Sequence, residues 1–221
     1  MKLAIFDFDG TLFPQDTLPY LLAQWNKLNY SKAQYIKVYA SLIILYLKYK
    51  LGFSSKLSRE QMKLIAMQRF NNIFEGMTEN EFIEYFRLCS DRLKGLLHKT
   101  VVSEVNDARI NGYHTVLLSG SYDCLLKHIG DYLNFDTVIG TKVHFNDNLY
   151  DYRKQLEVVS GKLKLKKIQE EFKIIDWKDS RAYGDSFSDI EILKSVGQPI
   201  AVNPDAKLKT IAIELDWRII F

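Results

Sequence analysis

The sequence predicts an α/β architecture: a doubly wound parallel sheet with an all-helical segment inserted after its first strand. Three observations lead there. Short apolar runs recur along the chain, and each stops on small polar or acidic residues. The stretches between them carry helical periodicity. Roughly a hundred residues separate the first two runs, far more than a simple crossover needs. Strands separated by helices give a parallel sheet covered on both faces. Ligands of such sheets bind outside the carboxyl ends of the strands, so the polar residues ending the runs should meet at one edge.

Leu3 to Phe8 reads as the first buried strand, ended by Asp9-Gly10. The insertion follows, roughly residues 14–95, leaving 1–13 and 96–221 as the α/β core. Within it, Leu18, Leu21, Leu22, Trp25 and Leu28 share one helix face. Thr78 and Glu81 form a capping-box pair ahead of Phe82, Phe86, Cys89 and Leu93, again one face. Ser58 and Gln61 repeat that spacing before Leu64, Ile65 and Met67. His114 to Leu118 is the second strand, ended by Ser119-Gly120-Ser121. Val138 to Phe145 and Leu149 to Val158 flank Asn146-Asp147-Asn148 and predict a hairpin. Gly161 opens a helix with Leu165, Ile168 and Phe172 inward. Arg181 to Tyr183 is a third short strand, ended by Gly184-Asp185-Ser186. Pro199 to Val202 is a fourth, ended by Asn203-Pro204, with Pro204 as the first residue of the last helix.

Composition excludes several classes. At 221 residues, 47% hydrophobic and 26% charged, the chain has ordinary globular make-up and buries a core without staples. A net charge of +3 with no basic arm argues against a nucleic-acid partner. The lysine run at 162, 164, 166 and 167 has the look of a solvated helix face. Cys89 and Cys124 lie in no paired motif, which points to a reducing compartment. The apolar run before Asp7 is too short for a signal peptide, so a soluble, cytoplasmic protein is expected. His98, His114, His128 and His144 show no metal-ligand spacing, and no Gly-rich nucleotide loop is present.

The chemistry lies in the acids that end the strands. Asp7 and Asp9 flank Phe8, and alternation along an extended strand points both carboxylates one way. Two acids so close favour one staying protonated or a cation between them. One carboxylate can then attack as a nucleophile while the other moves a proton. Taken alone, an Asp-x-Asp is most often two solvated acids in a loop. Here Asp185 and Asp189 end another strand at a strand-to-helix turn, and oxygen ligands of that kind suit magnesium. Asp185 by itself reads equally well as a helix N-cap. Ser119, with Gly120 behind it, can hold a phosphoryl oxygen, although Ser-Gly after a strand is usually just a turn.

With these four motifs in order the sequence resembles the haloacid dehalogenase superfamily of phosphohydrolases, and within it the phosphoserine phosphatase-like branch with a helical cap. The motifs are Asp7-Phe8-Asp9-Gly10-Thr11, Ser119-Gly120-Ser121, a lysine after Gly161, and Gly184-Asp185-Ser186 with Asp189. The first and fourth are specific; the other two are weak without them. The resemblance implies a Rossmann-like core and magnesium-dependent hydrolysis of a phosphate monoester through an aspartyl-phosphate. It implies Asp7 as nucleophile and Asp9 as general acid and base. Asp7, Asp9 (through its backbone carbonyl), Asp185 and Asp189 would form the metal site, with Asp189 orienting the metal waters or the lysine. Thr11, Ser119, Gly120 and Lys164 would bind the phosphoryl group, Lys162 competing for the lysine role. Asn203 matches an asparagine that commonly follows the last core strand.

Departures limit the substrate. Phosphoserine phosphatases usually carry Ser where this chain has Gly10 and a Glu shortly afterwards, where Asp16 stands here. A small-molecule or lipid phosphate is therefore expected, with phosphoserine not favoured. The rivals are a phosphotransferase or phosphomutase using the same intermediate, and an idle relative that binds a partner; the full set of acids argues against the second. From Ile36 to Phe53 the insertion is apolar on nearly every helix face, with Lys37, Lys48 and Lys50 at its ends. One reading is a helix buried in the cap or in a dimer interface. The other is a weak membrane-surface contact, or a cover for an apolar substrate tail.

Overall fold

The structure, a computed structural model, describes residues 1–51 and 59–221. Ser58 and Phe53 lie outside them, and with Ser58 the second capping pair.

The chain forms two compact units. The first comprises Met1–Asp16, Ser90–Lys142 and Val158–Phe221; the second comprises Thr17–Cys89 and Val143–Glu157. The second thus takes in a segment that the sequence reading left in the α/β core.

The first unit is built on β1 (Leu3–Phe6), β2 (His114–Tyr122), β3 (Thr137–Thr141), β6 (Arg181–Gly184), β7 (Gln198–Val202) and β8 (Arg218–Ile220), in the order β3-β2-β1-β6-β7-β8. All neighbours are parallel; Ile5 pairs with Val116 on one side and Ala182 on the other. Strands buried on both faces need apolar side chains on both, and Leu3, Ala4, Ile5 and Phe6 are all buried. Leu3 and Ile5 join Ile168 of α7 (Lys162–Glu171), Leu193 of α8 (Ile190–Ser195) and Leu208 of α9 (Ala206–Glu214) in one core. The alternate residue Phe6 stacks on Tyr183 with ring centroids 4.2 Å apart. Helices α5 (Lys99–Ile110) and α6 (Asp123–Leu133) bury Val101, Val105, Leu126 and Ile129.

Four sequence expectations change here. The first strand ends at Phe6, although the Asp7 N–H still donates to the Tyr183 carbonyl at 3.0 Å. β2 runs on through Ser119-Gly120-Ser121 to Tyr122, with a register shift against β3 between Leu118 and Tyr122. Val138 belongs to the sheet edge and not to a hairpin arm. Pro204 precedes the last helix, whose N-cap is Asp205: its carboxylate accepts from the Leu208 N–H at 2.9 Å.

The second unit contains α1 (Thr17–Lys27), α2 (Lys32–Lys50), α3 (Arg59–Phe70), α4 (Glu79–Leu93) as far as Cys89, and a hairpin of β4 (Phe145–Asn146) and β5 (Leu149–Tyr150). Asp147 and Asn148, both left-handed, turn the hairpin as the short polar residues of a type I′ turn do. The capping box of α4 forms: the Thr78 N–H donates to the Glu81 carboxylate at 2.8 Å and the Glu81 N–H to the Thr78 hydroxyl at 3.3 Å. Its apolar face, Phe82, Phe86, Cys89 and Leu93, is fully buried. Phe74 and Tyr150 pack on Phe82 in the same aromatic core. Helix α2 is not buried in the middle of this unit. It buries only Val38 and Leu45, while Ile36, Ile43, Ile44 and Leu47 stay exposed.

Candidate active site

The site is assembled at the carboxyl ends of β1 and β6, within the first unit. β1 delivers Asp7, and the chain then turns sharply. The Phe13 N–H donates to the Phe8 carbonyl at 2.9 Å, the Gly10 N–H to the Phe13 carbonyl at 2.7 Å, and Asp9 bridges to Phe13. Gly10 has φ +79, and a Cβ there would collide with the Asp185 carboxylate. Only glycine fits both demands at low cost. A Cβ at Gly184 would likewise meet the Asp189 Cβ at 2.7 Å.

Asp7, Asp185 and Asp189 each bring a carboxylate oxygen within 4.8 Å of the others. Octahedral magnesium holds ligands at about 2.1 Å, so opposite oxygens stand about 4.2 Å apart; the trio is close to that span. Lys164 enters the same group from α7. Gly161, at φ +52, is the N-cap of that helix. The Lys164 ammonium donates to Asp7 at 2.6 Å and to Asp189 at 2.5 Å. Lys164 is buried and Lys162 exposed, so the geometry selects Lys164 of the two.

Two carboxylates share one ammonium in a dry place. Burial pushes the Asp7 carboxyl up to about 6, Lys164 pulling it down and Asp189 adding to the rise. For Lys164 burial works against the charged form, yet the two carboxylates prevail and raise it. Asp189 is fixed from behind. Its second oxygen accepts from the Ser186 N–H and hydroxyl, both at 3.2 Å.

Thr11 and Ser119 are buried, and the Ser119 hydroxyl accepts from the Ser121 N–H at 3.1 Å. The Gly120 carbonyl accepts from the Thr141 hydroxyl at 2.8 Å. Thr11 Oγ1 and Ser121 Oγ are buried with no hydrogen-bond partner among the described residues. An unmade hydrogen bond of this kind costs about 1–3 kcal/mol, and a ligand oxygen would remove the cost. The donor set and these orphaned hydroxyls fit a divalent cation together with a phosphoryl group.

Two supports escaped the sequence reading. Asp205 ties the Asp185 loop to α9: its N–H donates to the Asp185 carbonyl at 2.8 Å, and its carboxylate accepts from the Phe187 N–H at 3.2 Å. An Asp three residues before Leu208 was the available signal. Ser121 was visible only as part of a turn.

A parallel sheet carrying acids at its carboxyl edge offers a place for a divalent cation beside a bound ligand. The chain belongs to the haloacid dehalogenase-like hydrolase family, whose pattern matches residues 4–194. It is 29% identical over 132 residues to the inhibition of morphological differentiation protein of Streptomyces azureus, covering 59% of this chain and 48% of that relative. The match therefore spans about half of the relative's length. A Bordetella pertussis protein of unknown function superposes with a TM-score of 0.79 at 21% identity, over 100% of this chain and 98% of the other. A substrate-bound phosphoserine phosphatase complex does so with a TM-score of 0.65 at 20% identity, over 99% and 92%. These last two likenesses are of fold.

Proposed function

We propose that the protein is a magnesium-dependent phosphomonoester hydrolase working through an aspartyl-phosphate on Asp7. The observation that carries this reading is the buried Lys164–Asp7–Asp189 contact beside Asp185 at the sheet's carboxyl edge. Asp7, Asp185, Asp189 and the backbone carbonyl of Asp9 would hold the metal. When bound, magnesium offsets phosphoryl oxygen charge and favours in-line approach.

One carboxylate oxygen of Asp7 attacks phosphorus. The bond to the ester oxygen breaks, and Asp9 gives that oxygen a proton so that it departs as an alcohol. Asp9, now ionised, takes a proton from water as the water oxygen attacks phosphorus. Inorganic phosphate leaves and the Asp7 carboxylate is restored. Lys164 compensates charge on Asp7 and on the transferring group, and Asp189 orients Lys164. Thr11, Ser119 and the amides around Gly120 hold phosphoryl oxygens. The substrate class is a small-molecule or lipid phosphate monoester.

The test is a screen of many phosphate monoesters, scored by free phosphate, with magnesium and with excess chelator. At least one ester should be turned over with magnesium and none with chelator, and calcium should inhibit, since its looser coordination disturbs in-line geometry. Turnover that survives the chelator contradicts the reading. Transfer of the phosphoryl group to a second alcohol, in place of water, would make the protein a phosphotransferase.

A further inference from the structure

We propose that the outward face of α2 docks on the surface of a membrane bearing anionic lipids. The inward side of this helix is Val38 and Leu45. On the opposite side, Ile36, Ala40, Ile43 and Leu47 follow one another at helical spacing and make a continuous stripe. Ile36 is 65% exposed, Ile44 49% and Leu47 46%. An ordinary surface helix turns such residues inward and shows water its charges. This one leaves them exposed beside its lysines.

Its charges are arranged around the stripe. Lys37 and Lys48, about three turns apart, fall along one edge, and Lys32 and Lys50, about five turns apart, along the other. The helix has no acidic residue. Lys37 meets Glu75 at 3.1 Å in an exposed pair, a contact that holds it only weakly. Tyr39 and Tyr46 are exposed beside the stripe. Isoleucine and leucine in the centre reach the acyl boundary, tyrosine rings suit the headgroup level, and lysine stems lie along apolar surface with their ammonium groups among anionic phosphates.

The charge pattern also selects this occupant over a second copy of the chain. Face to face, two copies of α2 would bring lysine edges together with no acid on either helix to meet them. No described helix is long and apolar enough to cross a membrane, so α2 would lie in the interface and not span it.

The test is co-sedimentation of the full chain with vesicles of phosphatidylglycerol and phosphatidylcholine, and of phosphatidylcholine alone. We expect binding to the anionic vesicles at low salt, weakened at least about tenfold at high salt and by a similar factor on neutral vesicles. Ile43→Ser with Ile44→Ser should weaken it at least about tenfold through lost apolar burial, leaving the far-ultraviolet circular dichroism and the turnover of a soluble ester unchanged. Lys48→Glu with Lys50→Glu should weaken it about thirtyfold or more, and carries the test alone should the isoleucine variant fail to fold. Absence of binding to anionic vesicles at low salt overturns the proposal. So does wild-type binding by both variants, or a solution dimer that the isoleucine variant converts to monomer.

Discussion

Replacing Asp7 by Asn should make the metal-free protein more stable while stopping turnover. Asp7, Asp189 and Lys164 form a buried group with one positive and two negative charges. Asn is close in shape to a protonated Asp, so the substitution relieves whatever penalty ionised Asp7 suffers in the fold. Its carboxyl is held at about 6 in place of 3.8. The folded value lies above the unfolded one, so the ionised form is the disfavoured one. The penalty is absent below the unfolded value, grows between the two, and is complete above the folded value. At about pH 8 it amounts to about 3 kcal/mol as an upper figure. For a chain of this length each kcal/mol moves Tm by roughly 2–4 °C, so Asp7→Asn should melt above wild type at that pH, by up to roughly 6–12 °C. The assay is thermal unfolding in excess chelator at about pH 8 and about pH 4. The two proteins should converge at the acid end, where both carry a neutral group at position 7. Magnesium should narrow the gap at pH 8 by stabilising the wild type more than the variant, which lacks one of the metal-binding carboxylates. A variant that melts at or below wild type at about pH 8 in chelator would refute the reasoning.

Lys164→Met should act in the opposite direction. It leaves two buried carboxylates without their ammonium, at a cost of about 3–5 kcal/mol, and mild acid should recover part of the loss; urea unfolding at two pH values measures both. Gly10→Ala should cost about 1–2 kcal/mol for a left-handed alanine. It should also raise the magnesium concentration needed for half-maximal turnover, because the new methyl group displaces Asp185; an unchanged requirement would show that Asp185 is not held where the metal needs it. Asp185→Ala should raise that requirement further, and an unchanged one would remove Asp185 from the metal site.

The acids were legible because they stand where apolar runs stop. Strand ends in a parallel sheet converge on one edge, so Asp7 and Asp185 are brought together by topology alone. The choice between Lys162 and Lys164 was open in the sequence, since both lie in the first turn after Gly161; in the fold Lys164 shares the buried face of the helix with Ile168. The last strand was missed because Arg218–Ile220 is too short to show a period. Val138 was read into a hairpin because an apolar run beside a turn signal looks the same whether its partner is the next segment or a distant strand. Helix α2 is the least legible. Apolar residues on every face normally report burial, but periodicity records only what a helix offers and not what covers it. Here only Val38 and Leu45 of the helix are fully buried against the rest of the unit.

The account rests on the Asp7 carboxylate becoming covalently phosphorylated. The direct measurement is mass spectrometry of protein quenched in acid during turnover of a substrate found in the ester screen, with magnesium present. We expect a mass increase of one phosphoryl group on the peptide containing Asp7, removed by hydroxylamine as an acyl-phosphate is, and absent from Asp7→Asn. Phosphate release with no such adduct under rapid quench, or release that persists in Asp7→Asn, would contradict the account.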